Sequence, residues 1–151
     1  MTNIEKERKV FWSMFEEVLI NNGNPFSIST RAHYGTINKN SPNSNLCLGM
    51  DFLLKKGFFR TGIYIQDDVA TPYFNRLLSQ KEEIESLLGF KPIWTTRGVR
   101  NPNTRRIETQ LPFIPNDRED YARLLDDVLP IIVKYIEVFS KYLPEAIQDL
   151  K

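Results

Sequence analysis

Three aspartates at the ends of two predicted strands are the first residues whose type and spacing suit chemistry. Asp51 lies on a predicted strand over residues 45–54, and Asp67 and Asp68 follow the next predicted strand, over 58–66. Carboxylates are ligands that Mg²⁺ prefers, and a bound Mg²⁺ can activate water for phosphodiester cleavage. One hypothesis is therefore a divergent, magnesium-dependent nuclease of the restriction-endonuclease-like type. The lysine that such nucleases carry beside the second acid is missing, and strand-end aspartates also form ordinary turns.

A second candidate is a basic segment over residues 91–106, which contains no acidic residue. Its cations are Lys91, Arg97, Arg100, Arg105 and Arg106. On a hairpin tip these arginines would contact phosphates, while Trp94 or Tyr34 would offer a ring to an unpaired base. The alternative is that the arginines form ion pairs with acids of the last helix.

The single histidine and the single cysteine exclude several chemistries within one chain. With only His33 and Cys47, neither an internal disulfide nor a zinc site of several cysteines or histidines can form. A Cys–His pair remains formally possible, although neither residue lies in a nucleophile-elbow context. The seven glycines are scattered, which disfavours a phosphate-binding loop and nucleotide hydrolysis. We therefore expect no metal and no cofactor outside the nuclease hypothesis.

Length and composition predict one domain over residues 1–151, and the single cysteine, Cys47, fits a reducing compartment. The chain has 151 residues, 41% of them hydrophobic, which suffices for one core. Its 20 Lys and Arg nearly balance 19 Asp and Glu, so any electrostatic function must be local. The first residues lack an apolar signal region and no stretch is long enough to span a bilayer, so a cytoplasmic location without membrane association is expected.

Apolar periodicity predicts the elements that must position these residues. The first helix is expected over 4–22 and a short strand near 32–37, within a polar loop that extends from 24 to 44. The runs 45–54 and 58–66 are rich in apolar and aromatic residues and are joined by Lys55-Lys56-Gly57, which is typical of a hairpin. The second run has a two-residue period with one more apolar side.

The second half of the chain predicts a helix, a hairpin and a long final helix. Thr71-Pro72 is a good helix start and Gly89 a good stop, with strands expected at 91–96 and 105–111. Asp117 is expected to cap the final helix, which Pro130 should kink and Pro144 should break. The predicted class is α+β: helix, three-stranded antiparallel segment, helix, two-stranded hairpin and long C-terminal helix, packed as one sheet with helices mainly on one face.

Several short motifs resemble a known family over nearly the whole chain. They are Phe11-Trp12-x-x-Phe15, Gly62-x-Tyr64-Ile65, Gln80-Lys81-Glu82-Glu83-Ile84-Glu85, Leu88-Gly89, Trp94 and Arg106-Ile107. Together they resemble the bacterial and archaeal domain of unknown function numbered 4268. In that family the domain often follows a nuclease-like or defence-related module, so the resemblance implies an accessory role near nucleic acid. It implies no catalytic residue.

The leading hypothesis is a non-enzymatic binding or interaction module whose partner is nucleic acid or a separate protein module. Its binding candidates are Trp94 and the arginines of the basic segment. The enzyme alternative is the nuclease centred on Asp51, Asp67 and Asp68. A third hypothesis is a structural or regulatory homodimer formed through the long C-terminal helix, whose apolar positions spread beyond a narrow stripe.

Overall fold

The computed structural model describes residues 2–37, 46–66, 70–95 and 104–149. These residues form four helices and six strands. The helices are α1 (Asn3–Asn21), α2 (Ala70–Leu78), α3 (Lys81–Leu88) and α4 (Arg118–Asp149). The strands are β1 (Ile28–Arg31), β2 (Tyr34–Ile37), β3 (Leu46–Leu53), β4 (Phe58–Gln66), β5 (Ile93–Trp94) and β6 (Thr104–Pro112). This architecture confirms the predicted α+β class.

The six strands form one antiparallel sheet in the order β1-β2-β3-β4-β6-β5. The last strand along the chain, β6, pairs with β4 over its whole length, from Phe58 opposite Pro112 to Gln66 opposite Thr104. The two-residue strand β5 is left at one edge and β1 at the other. The long strands β3, β4 and β6 therefore make the centre of the sheet.

All four helices lie on one side of this sheet, because alternate strand residues are apolar. The residues that point to the helices are buried on the three central strands: Met50, Phe52, Phe59, Ile63, Ile65 and Ile107. One core cluster packs under α1 and the first half of α4, and the other packs under α2, α3 and the second half of α4. The long helix α4 thus ties both clusters together.

The apolar side of α4 is used within the chain. Nine of its residues are buried in the two clusters: Tyr121, Leu124, Leu125, Val128, Ile132, Tyr135, Val138, Phe139 and Tyr142. This packing accounts for the spread of apolar positions that motivated the homodimer hypothesis, which stays a prediction. No helix in the described ranges is long and apolar enough to cross a membrane.

Three predicted elements differ from the structure. The strand expected at 32–37 is instead the hairpin β1–β2, in which Ala32 takes a left-handed conformation (φ 55°) at the turn. The strand expected at 91–96 contains only Ile93 and Trp94. The helix expected from Thr71 to Gly89 begins at Ala70 and divides into α2 and α3 where Gln80 donates its peptide N–H to Leu77. A local hydrogen bond there replaces the helical one.

The final helix begins as predicted but does not end as predicted. Asp117 caps it by accepting the peptide N–H of Asp120 at 3.1 Å. The break expected at Pro144 is wrong, because α4 continues to Asp149. A proline removes one helical hydrogen bond, and the bonds on either side of it hold the helix together. The kink expected at Pro130 stays a prediction.

A buried carboxylate joins the first and last helices. Glu7 of α1 is 3% exposed and accepts hydrogen bonds from Arg118 Nη2 at 2.7 Å and from the Tyr121 hydroxyl at 3.0 Å. The bond from Arg118 lowers the pKa of Glu7, with help from Tyr121 and against the effect of burial. Burial raises the pKa of Tyr121 to about 12. Folding therefore favours ionised Glu7.

We expect Glu7→Gln to lower the free energy of unfolding at neutral pH and to change its pH dependence. Because the folded pKa of Glu7 is lowered, its stabilisation is complete above the ordinary value of 4.5 and is lost as the pH falls through the folded value. The gap between wild type and variant should therefore narrow in acid. Urea unfolding at several pH values tests this. Glu17→Gln, at an exposed position of the same helix, should show no such change.

Candidate functional site

The side of the sheet away from the helices is polar, and we call it the polar face. One row of five residues crosses it, each paired with the next on the neighbouring strand: Arg31, Tyr34, Asp51, Arg60 and Gln110. Strand pleating places them on the side opposite to the apolar core. The next rows contain Gly49, Gly62 and Glu108, and then Cys47, Tyr64 and Arg106. Chemistry-bearing side chains of five strands therefore converge here.

Asp51 is the centre of the polar face. Its side chain is 4% exposed. It accepts a hydrogen bond from Arg60 Nε at 2.8 Å and one from the Tyr64 hydroxyl at 2.6 Å, both on Oδ2. The Nε2 atom of His33 lies 3.6 Å from Oδ1. A buried carboxylate needs such partners, since an unpaired charge there is costly.

Tyr64 reaches Asp51 only because residue 49 is glycine. The ring of Tyr64 crosses Gly49, where an added Cβ would lie 2.5 Å from a ring carbon. Burial raises the pKa of Tyr64 well above 10, and the nearby charge of Asp51 raises it further. Tyr64 therefore stays protonated and acts as a hydrogen-bond donor to Asp51.

The guanidinium of Arg60 is held at its Nε atom, while its terminal amino groups can still donate hydrogen bonds. Burial opposes its charge, but the hydrogen bond to Asp51 and the surrounding negative groups raise its pKa overall. Only its Nε atom is used, so among the described residues its two terminal amino groups have no acceptor. The Arg60 side chain is 19% exposed, against 4% for Asp51. The positive partner of this pair is the one that meets the solvent.

A second pair repeats the arrangement on β6. The side chain of Glu108 is 4% exposed and accepts Arg106 Nε at 3.3 Å, while that of Arg106 is 22% exposed. Gln110 Nε2 and Thr95 Oγ1 also donate to Glu108, at 3.3 and 3.4 Å. Arg106 has no other hydrogen bond in the described chain, so its terminal amino groups are free. Here too a carboxylate is buried beneath the guanidinium that it orients.

His33 and Cys47 have different neighbours on the polar face. The Cys47 sulfur lies 3.7 Å from the Tyr34 hydroxyl, and His33 lies beside Asp51. Burial raises the pKa of the Cys47 thiol, which disfavours the reactive thiolate. The geometry therefore lends no support to a Cys–His nucleophile.

Asp51 lies far from the end of β4 that precedes the other two aspartates of the nuclease hypothesis. Asp51 pairs with Arg60, whereas Gln66, which precedes Asp67 and Asp68, ends β4 six residues further on. At about 3.3 Å per residue this separation is roughly 20 Å. Asp67 and Asp68 themselves lie outside the described residues. Within the ranges that the structure covers, no three His, Cys, Asp or Glu side chains cluster as metal ligands would.

The basic segment is described only at its two ends. Arg97 and Arg100 lie outside the described residues. Arg105 and Arg106 are consecutive on β6 and therefore face opposite sides, so only Arg106 belongs to the polar face. Arg106 pairs with Glu108 of its own strand rather than with an acid of the last helix.

Trp94 is held on the helix side of the sheet. Its ring lies 6.0 Å from that of Phe74, centroid to centroid, in an edge-to-face contact. Its indole N–H donates to Glu85 of α3 at 3.2 Å. These contacts with α2 and α3 place Trp94 away from the polar face and give it a structural role there.

Sequence reasoning did not single out Arg60, Tyr64 or Glu108. The alternation of β4 already places Arg60 and Tyr64 on one face, opposite to Phe59 and Ile63. The sequence does not show that no described helix covers this face, or that β6 adds Glu108 and Arg106 beside β4. Nothing local in the sequence indicates that pairing.

Fold and site together define an α+β domain with a six-stranded antiparallel sheet, helices on one side and a polar face of buried carboxylates on the other. The chain belongs to the family described as Domain of unknown function (DUF4268), whose model matches residues 7–143. The expected resemblance to this family is thus confirmed. No curated protein and no solved structure matches the chain.

Proposed function

We propose that the chain is a non-enzymatic binding module that contacts the phosphates of nucleic acid through its polar face. The observation that carries this proposal is the repeated pair on neighbouring strands. Asp51 with Arg60 and Glu108 with Arg106 each bury an acid and leave a fixed guanidinium partly exposed. Arginines oriented in this way are suited to phosphate oxygens, which accept two parallel N–H bonds.

The electrostatics of the face favour an anionic ligand. Both carboxylates are almost wholly buried, so the charge that the two pairs present outward is positive. Arg31 adds a third, exposed cation at the end of the row that contains Arg60. A ligand with several phosphates, such as a nucleic-acid strand, would engage more than one of these groups at once.

Arg106 belongs both to the polar face and to the basic segment over residues 91–106. It is the last cation of that segment and the one that β6 places on the polar face. Arg97 and Arg100 precede it by fewer than ten residues, and in this proposal they extend the phosphate contacts beyond the sheet. Trp94 has no part in binding.

A binding role fits the hydrogen bonding of the face better than a catalytic role does. Asp51 is buried and its Oδ2 accepts hydrogen bonds from Arg60 and Tyr64, and Tyr64 has a raised pKa that disfavours proton transfer near neutral pH. The Cys47 thiol is likewise held neutral. The guanidinium ends of Arg60 and Arg106 keep donors that no acceptor in the described part of the chain uses.

We expect Arg106→Gln to weaken binding of labelled oligonucleotides and to reduce its salt dependence. Loss of one phosphate contact should lower the slope of log K against log salt by about 1. Fluorescence anisotropy with single-stranded and duplex oligonucleotides, at low and moderate salt, measures both effects. The combined replacement of Arg97, Arg100, Arg105 and Arg106 by Gln should weaken binding further.

A matched control removes one positive charge elsewhere. Lys134 lies on α4, on the helix side of the sheet, and its side chain is 50% exposed. Lys134→Gln should leave the salt slope unchanged. If Arg106→Gln and Lys134→Gln behave alike, or if the wild type does not bind at low salt, phosphate binding by the polar face is refuted.

A further inference from the structure

The edge strand β1 has peptide groups that no described strand uses. In the β1–β2 hairpin, Arg31 and Tyr34 flank a two-residue turn and form its first hydrogen-bonded pair. Hydrogen-bonded pairs alternate with non-bonded ones in an antiparallel ladder, so the peptide groups of Thr30 and Ile28 point away from β2. An exposed row of this kind is a template for another strand.

A groove runs beside this edge, between β1 and α1. Its first part is a cavity of about 430 Å³ whose walls include Arg8, Lys9 and Trp12 of α1 and Thr30 of β1. The side chain of Thr30 points to the helix side of the sheet, because it is in register with Gly35 and Met50. A residue opposite Thr30 on an added strand would direct its side chain into this cavity.

The groove continues as a second cavity of about 560 Å³. Its walls include Leu19 and Ile20 of α1, Phe26, and Ile28 of β1. Both cavities share Glu16, so they follow the same edge one after the other. Ile20 is 67% exposed and gives this part an apolar wall. A residue opposite Ile28 would enter here, two positions along from the one opposite Thr30.

The first cavity is lined by an arginine that has one donor without an acceptor. The Nε atom of Arg8 is buried and has no hydrogen-bond partner within the described chain. Buried donors are nearly always paired, so an exception calls for a missing partner. Lys9 lies in the same wall together with the carboxylates of Glu5 and Glu16, so the lining as a whole is close to neutral. The acceptor that Arg8 lacks, rather than the net charge, is therefore what a carboxylate would supply at this end of the groove.

We propose that β1 accepts an extended segment of a partner protein as a seventh strand. An Asp or Glu of that segment lies opposite Thr30 and pairs with Arg8, and an aliphatic residue two positions away lies opposite Ile28. Main-chain hydrogen bonds supply the affinity and the two side chains supply the specificity. This interaction uses the opposite side of the sheet from the polar face and does not depend on nucleic-acid binding.

Selection of random peptides displayed on phage against the whole chain tests the proposal. Enriched peptides should carry an acidic and an aliphatic residue two positions apart. An enriched peptide, made synthetically with a fluorescein label, is then titrated against variants by anisotropy. Thr30→Pro removes the peptide N–H that points away from β2, and an edge strand can lose this group without disturbing its own pairing. The change should weaken peptide binding by roughly tenfold. Thr30→Val, which keeps that N–H, should not.

A second pair of changes works without altering the strand. Arg8→Gln should weaken binding of the acidic peptide. A control peptide with Gln in place of the acidic residue should bind the wild type more weakly, and Arg8→Gln should not change the binding of this control. The proposal is overturned if no peptide is enriched, or if an enriched peptide is indifferent to both Thr30→Pro and Arg8→Gln. A dimer in light scattering that Thr30→Pro dissociates would instead make a second copy of this chain the occupant.

Discussion

Gly62→Ala is expected to destabilise the fold by about 3 kcal/mol or more, the largest loss that we anticipate from one added methyl group. A Cβ at Gly62 would lie 2.0 Å from the carbonyl oxygen of Ile107 and 2.8 Å from the Cα of Glu108. Both atoms belong to the backbone of β6, so no side-chain rotation can relieve the clash. The β4–β6 ladder would have to separate at its centre.

Urea unfolding of wild type and Gly62→Ala measures this loss, and a fall in Tm of about 10 °C should accompany it. Gly23→Ala is the matched control. Gly23 follows α1 with φ +81°, and an added Cβ there meets no atom within 4 Å. It should cost only about 1 kcal/mol, for the left-handed conformation alone. Equal losses at the two glycines would mean that the contact with Ile107 does not matter.

Asp51→Ala is expected to cost about 3 kcal/mol, because it leaves one buried donor and one partly buried donor without their acceptor. The Tyr64 hydroxyl and Arg60 Nε both donate to Asp51 Oδ2. Tyr64 is 4% exposed, so water cannot easily replace the lost acceptor. Asp127→Ala, which removes a half-exposed carboxylate paired with Arg123 on α4, should change stability by less than about 0.5 kcal/mol.

A double-mutant cycle identifies the source of the Asp51 effect. Tyr64→Phe removes the hydroxyl donor, and its effect should be non-additive with Asp51→Ala by about 1 kcal/mol. Additive losses would show that the two groups are not coupled through their hydrogen bond.

The same position distinguishes binding from catalysis. Asp51→Asn keeps the shape of the side chain, so a magnesium-dependent cleavage activity abolished by this change would favour the nuclease hypothesis. In the binding module that we propose, neither the wild type nor Asp51→Asn cleaves oligonucleotides. Asp51→Asn should act instead through Arg60, which it leaves less firmly oriented.

The elements with strong local periodicity were predictable. The first helix was expected at 4–22 and is Asn3–Asn21, and the hairpin strands expected at 45–54 and 58–66 are Leu46–Leu53 and Phe58–Gln66. Apolar residues at every third or fourth position identify a helix, and apolar residues at every second position identify a strand. The short strand β1 carries almost no such signal over four residues and was missed.

The amino-acid sequence by itself determined the type of most elements and which residues of each strand share a side. The alternation of β4 already separates Arg60 and Tyr64 from Phe59 and Ile63. The sequence also excluded internal disulfides and zinc sites with several cysteines or histidines, since one histidine and one cysteine cannot build them.

Only the tertiary structure decided which strands are neighbours. The pairing of β4 with β6 brings Arg106 and Glu108 beside the Asp51–Arg60 pair, and the position of β1 at the edge creates the groove beside α1. Side-chain alternation is a local property of one strand, whereas strand order depends on contacts between segments far apart in the chain. The candidate sites of this protein lie between strands, and for that reason they became visible only when the sheet was assembled.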